Sequence, residues 1–150
     1  MKSRGHKRTQ SRTTRKHIFE MVCGSSQQEI SKIERFLQTV GNQLHLDDGM
    51  MHRLLVSTTE AVNNAIIHGN KCNPEKHVLI RCMSTRKFLT ICVKDEGEGF
   101  DAESLQDPRE EKNLLKENGR GVFLMRSLMD KVKFKKLKSG AVAEMQVKLH

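Results

Sequence analysis

The sequence has no tryptophan and no tyrosine, and only 36% of its 150 residues are hydrophobic. The core is therefore lean, yet the composition stays well short of that of a disordered chain. No apolar stretch approaches the roughly 20 residues that a bilayer-spanning helix requires, which excludes a helical membrane protein. The first 17 residues place no apolar run behind their positive charges, so they do not read as a secretory signal. A cytoplasmic location is the resulting expectation. The four cysteines, Cys23, Cys72, Cys82 and Cys92, never fall within four residues of one another. Without a CxxC pair a cysteine-rich zinc site is disfavoured, and a disulfide scaffold suits neither the size nor the compartment. Cys82 and Cys92 lie in strand-like runs, where small buried thiols are common.

Acid is also missing from the N-terminus. Residues 1–17 hold Lys2, Arg4, Lys7, Arg8, Arg12, Arg15 and Lys16, so +7 of the formal +9 sits there and residues 18–150 carry only +2. Like charges among small polar neighbours cannot collapse, so residues 1–16 are expected to be a disordered basic tail on one domain of residues 17–150. A basic arm neutralises phosphates, but this one has no aromatic side chains to stack on bases. Direct nucleic-acid binding is accordingly not expected. A second basic run, Lys131, Lys133, Lys135, Lys136 and Lys138, alternates with Val132, Phe134 and Leu137. A period near two predicts a strand with one wet face.

The pattern along the chain predicts a strand over His17–Cys23 and a helix opened by a Ser26–Glu29 capping box. Ile30, Ile33, Leu37 and Val40 keep helical spacing, and Gly41-Asn42 is expected to close that helix. A second helix starts after Asp47 or Asp48 and runs to Gly69. His77–Met83 and Phe88–Asp95, joined by four polar residues, read as an antiparallel hairpin. Residues 96–118 are polar and contain Gly97, Gly99 and Pro108, the composition of a functional loop or lid. A short helix over Gly121–Asp130 follows. Lys131–Leu137 and Ala141–Leu149 then form a last hairpin around Ser139-Gly140. This order implies an α+β, two-layer sandwich, with helices over one face of a mixed, largely antiparallel sheet. There is no internal repeat.

Three polar interruptions stand out. Glu60, Asn64 and His68 recur at i, i+4 and i+8 on the second helix, among Ala61, Val62, Ala65, Ile66 and Ile67. Either they form a solvent-facing stripe or they bind something, because buried carboxylates and carboxamides are expensive without a partner. One histidine and no HExxH disfavour zinc, whereas Glu and Asn a turn apart suit a hard cation such as Mg²⁺. Second, Asp95 continues the parity of Leu89, Ile91 and Val93, which sets an acid at the rim of a buried strand face. Glu96-Gly97-Glu98-Gly99-Phe100 follows, with glycines that admit a ligand close to backbone, although a plain turn would also explain them. Third, Asn118-Gly119-Arg120-Gly121 immediately precedes a helix. That junction is either ordinary or a phosphate site made by free amides and the helix dipole. No GKS or GKT is present, so it is not a Walker A loop.

Together EAVNNAIIHGN (60–70), DEGEGF (95–100) and NGRGVFLM (118–125) resemble the ATP-binding domain shared by gyrase, Hsp90, histidine kinases and MutL, a Bergerat-type fold. Within it, the small size and the run around Asn64 look like the anti-sigma-factor serine/threonine kinases. The resemblance covers roughly residues 17–149. It implies ATP and Mg²⁺ as cofactors, with Asn64 on the Mg²⁺ and Asp95 accepting from the adenine amine. Gly97 and Gly99 would give base and ribose access to backbone. Residues 101–118 would be the ATP lid, and Gly119, Arg120 and Gly121 would wrap the phosphates. Glu60 would be the general base. The implied partners are a sigma factor and an antagonist protein, with phosphate passed to a serine or threonine of the antagonist, and a homodimer. Two positions depart from the family pattern. Glu117 and Asn118 stand where a basic residue is common, and Gly140-Ala141-Val142 replaces Gly-Thr-Thr. They point to the alternative, a catalytically weak ATP-sensing interaction module.

Overall fold

The structure is a computed structural model and describes residues 15–98 and 119–150. Residues 1–14 of the expected tail, the proposed lid and Gly99 lie outside the described residues.

Strand β1 (His17–Gly24) leads into a one-turn 3₁₀ segment over Gln27–Glu29 and then helix α1 (Ile30–Gln43). Ser26 is the cap, its Oγ accepting from Gln28 N at 3.3 Å. Glu29 pairs with Lys32 at 3.3 Å and does not reach back to close a capping box. Gly41 does not end α1 either; it lies inside the helix. A β-carbon there would collide with Met51 Sδ, so the missing side chain lets α1 approach helix α2 (Asp48–Asn64). Asp47 caps α2 by accepting from Met50 N at 2.7 Å.

The last turn of this helical stretch, Ala65–Gly69, is π-helical. Asn70 N donates to Ala65 O, five residues back, at 2.7 Å. Such single π-turns occur often at functional sites. Strands β2 (His77–Ser84) and β3 (Phe88–Lys94) form the expected hairpin. Helix α3 (Gly119–Leu128) already includes Gly119 and Arg120, which its apolar pattern left outside. Strands β4 (Lys131–Leu137) and β5 (Gly140–Lys148) complete the sheet.

The sheet order is β1-β2-β3-β5-β4, and each adjacent pair is antiparallel. The expected mixed component is therefore absent among the described residues. The reason is topological. The three helices among the described residues pack on one face, and none of them serves as a crossover between neighbouring parallel strands. The two-layer α+β sandwich itself is as expected.

Register decides what faces the helices. Phe19, Cys82, Ile91, Met145 and Val132 follow one another across the five strands. They meet Ile33, Leu37, Leu54, Val62, Ile66 and Met125 from the helical layer in one core. A fully buried side chain such as Ile91 contributes about 1.5–3 kcal/mol by leaving water. Burial pushes the Cys82 thiol up to about 12 and the Cys23 thiol up to about 11, so both pack as neutral apolar groups at neutral pH. On the opposite sheet face Glu20 and Arg81 pair at 2.6 Å. The lysines of β4 are exposed, the expected wet face of an edge strand.

Candidate functional site

Asp95 follows β3 by one residue and keeps the inward parity of Val93, so the sheet carries it under the end of the helical layer. It is 7% exposed. Its Oδ1 accepts from Gly97 N at 2.9 Å and from Ala141 N at 3.1 Å, while its own N–H donates to Ala141 O at 3.0 Å. The carboxylate is thus locked between the loop after β3 and the start of β5. Two backbone donors satisfy Oδ1, and Oδ2 lies against Gly69.

The helix end and the loop interlock through two glycines. A β-carbon on Gly97 would fall on the carbonyl oxygen of Gly69, and one on Gly69 would fall on the Asp95 carboxylate. Asn70 holds this arrangement from behind. It is 1% exposed, donates through Nδ2 to Ser25 Oγ at 2.8 Å and His77 O at 3.0 Å, and accepts Glu96 N through Oδ1 at 2.8 Å. Ser25 Oγ in turn donates to Lys76 O at 2.6 Å. One carboxamide therefore ties β1, β2 and the loop after Asp95 to the π-turn. Sequence reasoning gave Asn70 no role, because its partners lie 7, 26 and 45 residues away. Asn70→Ala is expected to cost about 2–4 kcal/mol, since it removes three bonds and orphans buried partners. Thermal denaturation measures this, and an unchanged midpoint would show that the hub carries no net stability.

The cleft beside Asp95 is narrow and mostly apolar. Ala61, Ala65, Val93, Phe134 and Ala143 form its walls, with Asn64 and His68 at its helical side. An apolar slot with one fixed carboxylate suits a flat heterocycle that offers a hydrogen-bond donor. Phe134 is a site residue that the strand alternation disguised as ordinary core.

At the other end, Glu60 and Asn64 stand one turn apart on α2, facing the first turn of α3. A β-carbon on Gly121 would lie 2.7 Å from Glu60 Oε2 and 3.7 Å from Asn64 Nδ2, so the glycine brings α3 backbone against both side chains. Gly119 is buried and Arg120 is exposed. His68 does not continue the stripe cleanly: it lines the cleft with Asn64, whereas Glu60 lines a separate groove. Among the described residues no group of three His, Cys, Asp or Glu could hold a metal. A cation at Asn64 would take its other ligands from phosphate and water.

Residues 24–147 match the family described as the histidine kinase-like ATPase domain. The chain belongs to that family. A serine-protein kinase RsbW of Staphylococcus epidermidis is 30% identical over 120 residues, 75% of this chain and 76% of the relative. The RsbW of Oceanobacillus iheyensis is 28% identical, covering 76% of each chain. An anti-sigma F factor of Clostridium perfringens is 37% identical over 78 residues, 49% of this chain and 54% of that one. The crystal structure of the RsbU and RsbW domains of a Mycobacterium tuberculosis protein superposes with a TM-score of 0.66 at 12% identity. It covers 89% of this chain and 32% of that one, and it supports the fold alone. Within the ATPase-domain family, the chain stands among the anti-sigma-factor serine/threonine kinases.

An ATPase domain implies ATP as ligand, and the donor set fits it. Asp95 is a fixed acceptor beside a mostly apolar cleft, and the glycines at 69, 97 and 121 let backbone lie against Asp95, Gly69 and Glu60. No described helix is long and apolar enough to cross a membrane.

Proposed function

We propose that the chain is a protein serine/threonine kinase that binds ATP and passes its γ-phosphate to an antagonist protein. In the same partner switch it holds a sigma factor inactive. The observation that carries this reading is the placement of Glu60 beside Asn64 and the Gly121 turn, at the opposite end of the site from Asp95. Asp95 and the apolar slot take the adenine. The amides of Gly119, Arg120 and Gly121 cradle the phosphates at the head of α3. Mg²⁺ at Asn64 supplies charge neutralisation when bound. Glu60 takes the proton of the acceptor hydroxyl while its oxygen bonds to the γ-phosphorus and the bond to the bridging oxygen breaks, releasing ADP.

Incubation with γ-labelled ATP and a candidate antagonist is expected to label a serine or threonine of the antagonist. ATP binding without label on any antagonist would select the second reading, an ATP-sensing interaction module. One observation favours that alternative: Ala141, Val142 and Ala143 make the β5 wall of the cleft apolar, so no side-chain hydroxyl there holds the nucleotide. Asp95→Asn tests the adenine contact. The carboxamide oxygen can still accept from Gly97 N and Ala141 N, but an amide N–H donor replaces Oδ2 and faces the donor on the base. ATP affinity is expected to fall about tenfold with the fold retained, read by nucleotide titration and circular dichroism.

A further inference from the structure

Helices α2 and α3 lie antiparallel, and one stripe of α2 carries their contact. Arg53, Ser57, Glu60 and Asn64 follow at helical spacing. Glu60 and Asn64 meet Gly121 in the first turn of α3. At the other end Arg53 Nε donates to Leu128 O at 2.5 Å, and Nη2 lies 3.6 Å from Asp130 Oδ1. The two meeting points are seven residues apart on each helix, about 10 Å along either axis. Between them Ser57 is fully buried, and its hydroxyl has no hydrogen-bond partner among the described residues. Apolar packing has no direction, so among the described contacts it is Arg53 that fixes how far α3 slides along α2.

The anchor is built from complementary parts. Leu128 O belongs to the last turn of α3, where carbonyls lack a helical donor, and a cation there complements the helix dipole. Asp130 ties the same point to the sheet: its Oδ2 accepts from Lys148 N at 2.6 Å, and its N–H donates to Gln146 O at 2.9 Å. The ion pair is partly exposed and contributes little energy alone. Its effect is to orient the planar guanidinium so that Nε faces the carbonyl. We propose that Arg53 is a positioning residue for the nucleotide's phosphates. It sets the height of α3 and so holds the Gly119–Gly121 turn beside Glu60 and Asn64. The inference rests on the reading above, in which that turn takes the phosphates and the Asp95 cleft takes the base. Asp95 is held by Gly97 N and Ala141 N, neither of them on α3. Loss of the anchor therefore weakens the grip on phosphate and spares the grip on the base.

The test compares two ligands on the full chain: ATP with Mg²⁺, titrated by calorimetry, and adenosine, titrated by ligand-observed NMR. Arg53→Met keeps an apolar stem and removes both contacts. It is expected to weaken ATP binding about three- to thirtyfold and to leave adenosine within about twofold. Arg53→Lys has no planar fork to reach both acceptors, so the same split should appear with a smaller loss for ATP. Being the milder change, it carries the comparison if Arg53→Met does not fold. Arg81→Met breaks the 2.6 Å pair with Glu20 on the opposite sheet face and should change neither constant. Loss of ATP and adenosine affinity together would make Arg53 a structural residue only and overturn the inference. ATP affinity unchanged in both Arg53 variants would overturn it too. Wild-type protein that binds ATP no more tightly than adenosine removes the phosphate reading instead, and the inference with it.

Discussion

Glu60→Ala is expected to lower phosphotransfer from ATP to the acceptor hydroxyl by roughly 10²–10⁴-fold while ATP binds as before. A neutral hydroxyl attacks phosphorus poorly unless its proton leaves as the bond forms. Glu60 is half-buried at the junction of α2 and α3, with Oε2 against the Gly121 turn and the groove between α1 and α2 on its other side. Asp95, the proposed adenine acceptor, is held by Gly97 N and Ala141 N and not by Glu60, so the proposed adenine contact should survive the substitution. Glu60→Gln separates shape from basicity, because it preserves the packing against Gly121 and removes the base. Both variants should be equally slow. Initial rates with labelled ATP and a nucleotide displacement titration make the two measurements. Full activity in either variant would remove the general-base assignment.

Gly97→Ala is expected to abolish measurable ATP binding, a loss of at least about 100-fold, for a reason that is purely steric. The added methyl falls on the carbonyl oxygen of Gly69. That oxygen cannot yield, because the π-turn behind it is fixed by Asn70 N donating to Ala65 O at 2.7 Å and by the three bonds of the Asn70 carboxamide. The loop has to withdraw instead. It then loses Gly97 N to Asp95 Oδ1, a charge-assisted bond worth about 1.5–3 kcal/mol, and releases the carboxylate from its fixed position. Overpacking adds about 1–3 kcal/mol of instability. Gly49→Ala is the control. A β-carbon there meets nothing nearer than Asp47 Oδ1 at 3.5 Å, so affinity and stability should hold. Calorimetric titration with ATP reads the effect, and unchanged affinity in Gly97→Ala would show that the loop does not need this contact.

Part of the site was legible because it obeys the two regular periods. Asp95 shares the parity of Leu89, Ile91 and Val93, so an acid on the buried face could be read from alternation alone. Glu60 and Asn64 lie four residues apart in a helical pattern, which places them on one face. The hairpins, the capping position of Asp47 and the wet lysine face of β4 follow from the same local rules. The misreadings also have physical reasons. Gly41 looked like a helix terminator because glycine favours helix ends, whereas here it serves a close approach to Met51. The π-turn has no composition of its own and so could not be read in advance, and the expected stripe divided before it, with Glu60 lining one groove and Asn64 and His68 the cleft.

The absence of tryptophan and tyrosine and the low hydrophobic share already implied a lean core, and the periods placed helices and strands along it. Those are local properties, set by backbone stereochemistry and by which face of each element avoids water. The sequence by itself also determined which residues could do chemistry, since only a few polar side chains interrupt the apolar faces. Tertiary structure alone decided their company. Gly97 meets Gly69 across 28 residues of chain, Asn70 joins Ser25, His77 and Glu96, and Gly121 comes to lie on Glu60 and Asn64. Contacts of this kind depend on how the packed layers settle against each other, and no periodicity within a single element encodes that.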